Sequence, residues 1–322
     1  MKTIAELSIL LEQKIKDISY PVSPALLYSP IEYIMELKGK RMRPILVLMA
    51  HQLFDENLEK AISPALAIEV FHNFTLLHDD IMDKAPLRRG NPTVHEKWNS
   101  NVAILSGDAM MIQAYQLLTK VDEKILKEVL LVFSKAATKV CEGQQWDMDF
   151  ETQNDVELAD YMKMIEYKTA VLLAASLKIG AITAGATKEE QNHLYNFGIN
   201  MGIAFQLKDD LLDAFGNPKT FGKQLGGDIM ANKKTYLYLK ALEVADDKQF
   251  DRITGIYLNE DFPSDEKVEL VKSLFEQMEI PKHTENLMLA HQAKAMVHLD
   301  AINSDNKAPL LAFTNKLMGR IS

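Results

Sequence analysis

The stretch 121–150, VDEKILKEVLLVFSKAATKVCEGQQWDMDF, carries apolar residues at three- and four-residue steps and includes no proline. This spacing is typical of a long α-helix with one face in a core. The stretch 33–54, YIMELKGKRMRPILVLMAHQLF, shows the same periodicity, and no segment alternates convincingly between apolar and polar residues. The sequence therefore predicts an all-α fold.

Turn-forming residues interrupt the helical pattern at short intervals. The interruptions are 20–24, 84–93, 215–228, 259–266 and 303–309. None is long enough or simple enough in composition to be an interdomain linker. We therefore expect residues 1–322 to form a single domain.

Composition excludes several classes of protein. With 47% hydrophobic and 25% charged residues, the 322-residue chain is typical of a globular protein with a large core. The formal charge of −9 argues against a nucleic-acid or anionic-membrane partner, because such proteins carry basic surfaces.

The compartment follows from cysteine usage and from the first residues. The single cysteine, Cys141, cannot form an intrachain disulfide, and charged residues interrupt the apolar residues of 1–20, so no signal-peptide core is present. The stretch 170–186 is slightly short for a membrane span and carries Lys178. We expect a cytoplasmic protein without a transmembrane segment, and a buried helix at 170–186.

Two acidic motifs share one spacing. HDDIMD (78–83) and DDLLD (209–213) each place aspartates four residues apart, on one face of a helix. Either motif alone also fits a solvated helix end. The apolar flanks FTLL (74–77) and GIAFQL (202–207) indicate that both helices are largely buried, where unpaired carboxylates are costly. The repetition therefore favours bound metal ions.

The ligand atoms indicate which metal. Carboxylate oxygens without thiolates suit hard cations, and Mg²⁺ is usually held by one or two carboxylates together with substrate phosphates. We interpret His78, beside Asp79, as a core or hydrogen-bonding residue rather than a zinc ligand. Basic clusters accompany the acidic motifs, and their side chains suit phosphate, although any one of them alone is typical of a protein surface. These clusters contain Lys40, Arg41, Arg43, Arg88, Arg89, Lys168, Lys223, Lys233 and Lys234.

Seven motifs in order carry a family resemblance. GKRMRP, HDDIMD with RRGNPTVH, GDAM, EGQQWDMDF, YKTA, FQLKDDLLD and GKQLGGD with NKKT resemble those of trans-isoprenyl diphosphate synthases, the polyprenyl synthetase family, from about Lys38 onward. The resemblance implies an antiparallel helical bundle around a deep central cavity, the isoprenoid synthase type I fold, usually as a homodimer. It also implies that the two acidic motifs face each other across the cavity mouth.

The resemblance further implies a reaction and a role for each site residue. A Mg²⁺-dependent prenyltransferase condenses isopentenyl diphosphate with dimethylallyl, geranyl or farnesyl diphosphate, and the released diphosphate is the implied base. Asp79 and Asp83 would hold two Mg²⁺ ions and Asp209 a third. The other motif aspartates, Asp80, Asp210 and Asp213, would act through water or behind the ligands. The implied allylic diphosphate site contains Arg88, Lys168, Thr169, Gln206, Lys223 and Lys233. The implied isopentenyl diphosphate site contains Lys40, Arg43, His72 and Arg89.

Product length depends on residues that precede Asp79. An ideal helical wheel keeps Thr75 about 40° and Phe71 about 80° from the Asp79 face, with Phe74 near 140°, so geometry favours Phe71 as the cavity floor. By resemblance, an aromatic residue at position 74 is a feature of short-chain synthases. The motif also lacks the two-residue insertion, between its second and third aspartates, that would make it resemble many bacterial farnesyl synthases, and by resemblance its absence favours geranylgeranyl over farnesyl diphosphate as product. Both rings could instead be ordinary core residues.

Two other functions are compatible with parts of the pattern. A non-catalytic subunit of a heteromeric prenyl synthase would typically carry a degraded acidic motif, whereas both motifs are intact here. A class I terpene cyclase also ionises allylic diphosphates. It would leave the second basic cluster, around Lys40, without a purpose.

Overall fold

The computed structural model describes residues 1–153, 155–216, 225–259 and 262–319. Helices dominate these residues. The first are α1 (Ile4–Lys16), α2 (Ala25–Glu36), α3 (Met42–Gln52), α4 (Glu59–Met82), α5 (Val94–Lys97), α6 (Ser100–Leu118), α7 (Glu123–Thr152) and α8 (Leu158–Ile165). A π-helix (Glu166–Ala170) leads into α9 (Val171–Thr183), α10 (Lys188–Phe215), α11 (Gly227–Met230), α12 (Tyr236–Val244), α13 (Asp247–Leu258), α14 (Ser264–Gln277), α15 (Ile280–Asp300) and α16 (Ala308–Met318). The predicted all-α fold is confirmed.

Contacts along the chain define two compact units. The first contains Met1–Ser134, Ala175–Leu194 and Asn303–Leu310. The second contains Lys135–Ala174, Tyr195–Ile302 and Leu311–Ser322. Both are discontinuous in sequence, and the single domain over 1–322 stays a prediction. Among the described residues, no helix is long and apolar enough to cross a membrane.

In the first unit, α4 is the central helix and packs against α3 and α6. Nearly every turn of α4 is buried, and its apolar residues surround the helix rather than forming one stripe, as expected of a helix inside a core. Antiparallel strands β1 (Leu87–Arg88) and β2 (Asn91–Pro92) follow α4 and form a short hairpin. The hairpin and the last turns of α4 carry the first acidic motif and the arginines after it.

The periodic stretch 33–54 is not one helix, because the backbone leaves the helix between Glu36 and Met42. Arg41 has a left-handed backbone (φ 44°) and is only 5% exposed. Its Nη2 donates to the carbonyl oxygens of Met35 (2.6 Å) and Leu37 (3.1 Å), which end α2. The guanidinium thus satisfies carbonyl groups that a helix end leaves unpaired. Hydrophobic periodicity alone carries no sign of this cap.

In the second unit, glycines allow two helices to approach the π-helix closely. A Cβ added at Gly143 in α7 would lie 2.3 Å from the backbone nitrogen of Lys168, and one at Gly202 in α10 would lie 2.5 Å from Ala170 Cα. Any side chain at either position would push the π-helix away. Insertions of this kind are frequent at functional sites, and this one carries Lys168 and Thr169.

We expect Gly143→Ala to destabilise the protein by about 1–3 kcal/mol, because the added methyl group collides with backbone that cannot rotate away. Gly255→Ala is the matched control, since Gly255 lies exposed in α13 and a Cβ added there would meet nothing within 4 Å. It should be neutral or stabilise by up to about 1 kcal/mol through helix propensity. Urea unfolding measures both, and equal stability of the two variants would contradict the packing role.

Candidate active site

The first acidic motif is organised by an ion pair with two hydrogen bonds. Arg88 donates from Nε to Asp80 Oδ2 (2.7 Å) and from Nη2 to Asp80 Oδ1 (2.6 Å). Asp80 is 2% exposed, so the pair neutralises a buried carboxylate. Arg89 and Gly90 join the strands with positive φ angles of 54° and 78°, as a type I′ hairpin turn requires. The turn holds Arg88 over the end of α4.

The remaining two aspartates of this motif lie one helical turn apart at the end of α4. Asp79 is half-buried and Asp83, the C-cap, is exposed. Their oxygen-only donor set fits Mg²⁺. Among the described residues, no group of three or more His, Cys, Asp or Glu side chains converges as a metal site. A metal here would need ligands from substrate phosphate and water, which Mg²⁺ commonly accepts.

Beside this motif, guanidinium groups surround His72. Arg43 donates from Nη1 to His72 Nε2 (3.0 Å). Burial, followed by the charges of Arg43, Arg89 and Arg88, lowers the pKa of His72 well below its ordinary value, so the ring is neutral and accepts this bond. Burial lowers the pKa of Arg43 to about 10, opposed by Glu69 and Asp79, and the group stays cationic at neutral pH.

Arg43 also holds an unsatisfied donor. Its Nε is buried and has no hydrogen-bond partner among the described residues. A buried donor of this kind costs free energy unless a ligand supplies an acceptor for its hydrogen bond. Arg89 donates from Nη1 to Leu37 O (3.1 Å), and its guanidinium lies against Gly39. Lys40 is exposed in the same loop. The structure therefore brings together the residues predicted for the isopentenyl diphosphate site, in a cationic cluster suited to a polyanion.

The predicted chain-length residues lie about one to two turns before Asp79 on α4. Phe71 is fully buried and Phe74 is 9% exposed. Their ring centroids are 5.6 Å apart, and Phe71 packs edge-on against Phe133 of α7 at 5.1 Å. Thr75 is half-buried and donates from Oγ1 to His72 O (2.8 Å). Phe71 and Phe74 thus pack as a pair, which we call the aromatic barrier after the product-length role predicted from the sequence.

In the second unit, the π-helix faces a cavity of about 110 Å³. Lys168 forms an ion pair with Asp147 of α7 (Nζ to Oδ2, 2.5 Å). Thr169 donates from Oγ1 to Gln206 Oε1 (3.1 Å), and Gln206 donates from Nε2 to Asp210 Oδ1 (3.0 Å). The cavity lining includes Asp147, Tyr161, Lys168, Thr169, Gln206, Asp210, Asp228, Lys233 and Lys234. Predicted allylic-site residues from three separate stretches of sequence therefore meet here.

Asp210 completes this chain of hydrogen bonds. The Tyr161 hydroxyl donates to Asp210 Oδ2, and the carboxyl is 5% exposed. Burial raises the pKa of Asp210 to about 7, opposed by the hydrogen bonds from Tyr161 and Gln206 and reinforced by the charge of Asp228. Asp209, on the adjacent position of α10, is half-buried. The two neighbouring carboxyl groups of this motif therefore differ in environment.

Asp213 organises the backbone that follows the second motif. Its Oδ2 accepts from the amide of Asp228 (3.0 Å), and its carbonyl oxygen accepts from the amide of Gly226 (2.7 Å). Lys233 donates its amide to Asp228 O (2.9 Å), and its Nζ lies 3.8 Å from Asp228 Oδ1. Lys233 thus lines the same cavity as Lys168. The predicted diphosphate ligand Lys223 lies outside the described residues.

Comparison with known proteins identifies the family. The Polyprenyl synthetase family model matches residues 24–278. The chain belongs to the polyprenyl synthetase family. It is 42% identical over 222 residues, 68% of each chain, to a geranylgeranyl diphosphate synthase of Methanosarcina mazei. A geranylfarnesyl diphosphate synthase of Natronomonas pharaonis is 39% identical over 264 residues, 76% of this chain and 75% of its own.

A solved structure supports the same assignment. The crystal structure of a geranylgeranyl pyrophosphate synthase superposes with a TM-score of 0.95 at 45% identity, covering 100% of both chains. The isoprenoid synthase fold is thereby shown, and the chain is a prenyltransferase of the short-chain class. Prenyl synthases generally use a divalent metal, which agrees with the oxygen-only donors described above.

Sequence reasoning missed several residues that bind the charged side chains of this prenyl synthase site. Tyr161, which donates to Asp210, and Glu69, which binds Arg41 Nη1 (2.6 Å), carried no motif signal because each acts across a long sequence separation. Asp147 lies within the quoted motif EGQQWDMDF, so the pairing with Lys168 had a signal in that motif. No sequence motif indicated the π-helix.

The raised pKa of Asp210 predicts a pH-dependent stability of the metal-free protein. Between about pH 4 and pH 7 the Asp210 carboxyl is protonated in the folded protein but ionised in the unfolded chain. The free energy of unfolding therefore falls as the pH rises through this window. Asp210→Asn removes that loss. The variant should gain up to about 4 kcal/mol relative to wild type between pH 4 and pH 8.

Urea unfolding in excess chelator at several pH values measures this gain. Asp108→Asn, at an exposed aspartate of α6, is the control for the loss of a carboxyl group that is not buried. A pH-independent difference for Asp210→Asn would show that the carboxyl is ionised in the folded protein.

Proposed function

We propose that the protein condenses isopentenyl diphosphate with allylic diphosphates in the presence of Mg²⁺ and forms short all-trans prenyl diphosphates, geranylgeranyl diphosphate above farnesyl diphosphate. The observation that carries the proposal is the buried, unsatisfied Nε of Arg43 inside a cluster of guanidinium groups. An enzyme that only ionises one diphosphate has no use for this cluster in addition to the cations around the π-helix.

The arginine cluster suits isopentenyl diphosphate, which keeps its diphosphate group during the reaction. Arg43 and Arg89 would each donate to its phosphate oxygens, with Lys40 closing the exposed side. Because His72 is neutral, it adds no charge and keeps Arg43 oriented through its Nε2. Fixed donors position the diphosphate without reorganisation during the reaction.

The cations around the π-helix suit the diphosphate that leaves. Its C–O bond breaks with the electron pair on oxygen, the terminal alkene carbon of isopentenyl diphosphate attacks the allylic cation, and a proton is lost to the released diphosphate. Lys168 and Lys233 would bind the departing anion, and the oxygens of Thr169 and Gln206, which line the same cavity, would lie near the cation. Mg²⁺ held by Asp79, Asp83 and Asp209, three ions in all, would neutralise the leaving diphosphate.

An exposed apolar face on helix α6 supports assembly as a homodimer. This face carries Ile104 (43% exposed), Leu105 (61%) and Ile112 (60%). These positions lie within about 100° of one another on a helical wheel. A contiguous exposed apolar face is typical of an interface, and the family resemblance implies a second copy of this chain as its partner.

An assay with dimethylallyl diphosphate, with and without isopentenyl diphosphate, tests the proposal against its alternatives. We expect chain elongation only when both substrates are present. A terpene cyclase would release diphosphate and hydrocarbon from the allylic substrate alone. A non-catalytic subunit would show no turnover, even in the mixture that contains both substrates.

Both acidic motifs should be required for turnover. We expect Asp79→Ala and Asp209→Ala each to lower kcat by about 100-fold or more, as when a group that stabilises a developing anion is removed. The exposed Asp108 provides a control, and Asp108→Ala should retain activity. Full wild-type activity in excess chelator would contradict the metal assignment.

Product length should respond to the aromatic barrier. Phe74 and Phe71 lie about 7 and 12 Å before Asp79 by helical rise, and the two rings are in contact. Phe74→Ala should therefore lengthen the product, and Phe71→Ala with Phe74→Ala should lengthen it further. Chromatography of dephosphorylated products measures this. A wild-type product of thirty carbons or more, or an unchanged product from an active double variant, would exclude Phe71 and Phe74 as the floor of the product cavity.

A further inference from the structure

His78, which precedes the first aspartate of the motif, touches two elements at once. Its ring packs edge-on against Phe74, one turn earlier on α4, with centroids 4.7 Å apart and an interplanar angle of 64°. Its Nε2 lies 3.3 Å from the carbonyl oxygen of Ile104 in α6. Because a carbonyl oxygen only accepts, the imidazole donates this bond. The ring thus links the aromatic barrier to the neighbouring helix.

Gly107 provides the space that this ring occupies. A Cβ added at Gly107 would lie 2.2 Å from His78 Nε2 and 2.7 Å from its Cδ2. The imidazole therefore sits directly on the backbone of α6, and only glycine permits this approach. On its other side, Phe74 is held by Phe71. Phe74 has an aromatic neighbour on each side, and of these two neighbours His78 is the one that carries a hydrogen bond to a second helix.

We infer that His78 is a positioning residue that fixes the Phe74 ring against α6 and thereby limits product length, a role that rests on the proposed function. Edge-to-face aromatic contacts have preferred geometry and contribute beyond the area they bury. Without the imidazole, the Phe74 ring gains space toward Gly107 and can turn away from a lengthening chain. Phe74 is still present in such a variant, but its ring blocks the growing chain less effectively.

The test measures product distribution in variants that retain Phe74. His78→Ala should raise the ratio of longer to wild-type products by about tenfold, the rate factor that corresponds to the loss of one well-packed aromatic contact. His78→Gln can still donate to Ile104 O but presents no ring, so it should lengthen the product in the same direction. His193→Ala, at a histidine whose ring lies 4.0 Å from the exposed Glu189, is the control and should leave the distribution unchanged.

Double variants separate positioning from general damage. Gly107→Ala displaces the ring and should shift the product in the wild-type background but add nothing to His78→Ala. His78→Ala should likewise add nothing to Phe74→Ala. Because His78 adjoins Asp79, a variant that only disturbs the acidic motif would lower kcat with an unchanged product ratio, and that result would overturn the positioning role.

The outcome also distinguishes this inference from the floor assignment beneath it. If Phe74→Ala lengthens the product while His78→Ala and His78→Gln, both active, do not, the positioning role is wrong and the floor stands. If Phe74→Ala itself leaves the product of an active enzyme unchanged, the floor is wrong and His78 has no barrier to position. A wild-type protein without elongation activity would instead overturn the proposed function.

Discussion

Helix α4 carries ionised groups through a core, and each of them needs a compensating partner. A buried carboxylate without a counter-charge costs several kcal/mol, and Glu69 and Asp80 are only 1% and 2% exposed. Arg41 compensates Glu69, and Arg88 compensates Asp80. To reach Glu69, Arg41 leaves the helical conformation and ends α2. To reach Asp80, Arg88 is presented by a tight hairpin. The loop with Lys40 and the hairpin with Arg89 are therefore placed by the requirement to neutralise α4.

The second acidic motif meets the same constraint by a different route. Among the described residues, no guanidinium pairs with Asp210. Tyr161 and Gln206 donate to it, and burial raises its pKa to about 7. A carboxyl group in this state can be neutral without a cation, and the lysines of the cavity lie beside other carboxylates, Lys168 beside Asp147 and Lys233 beside Asp228. Lys168 and Lys233 both line it. The motifs repeat in sequence, but their central aspartates are stabilised by an ion pair in one and by neutral donors in the other.

Turn-forming residues correctly predicted interruptions between helices, as at 20–24, 84–93 and 303–309, whereas apolar periodicity missed the break within the stretch 33–54. The burial of α4 and the continuity of α7 follow from apolar spacing. The break at residues 37–41 does not, because the Arg41 side chain folds back and satisfies the carbonyl groups at the end of α2. The π-helix escaped prediction for a similar reason, since it depends on the absence of side chains at Gly143 and Gly202. Motif order located the site residues, whereas their partners Glu69 and Tyr161 come together only in the folded chain.

One helix carries both the acidic motif and the aromatic barrier, which under the proposed function constrains how product length can vary. Backbone hydrogen bonds fix the rise between Asp79 and Phe74 at about 1.5 Å per residue, and α4 is buried on most faces. Under the proposed function, the available length would therefore depend on side-chain volume near Phe71 and Phe74 rather than on loop conformation. Relatives named as geranylgeranyl and geranylfarnesyl synthases both match this chain at close to 40% identity. A difference of one isoprene unit thus requires no change of fold, and our inference adds that the His78 ring, which lies on α4 and bonds to α6, contributes to product length through Phe74.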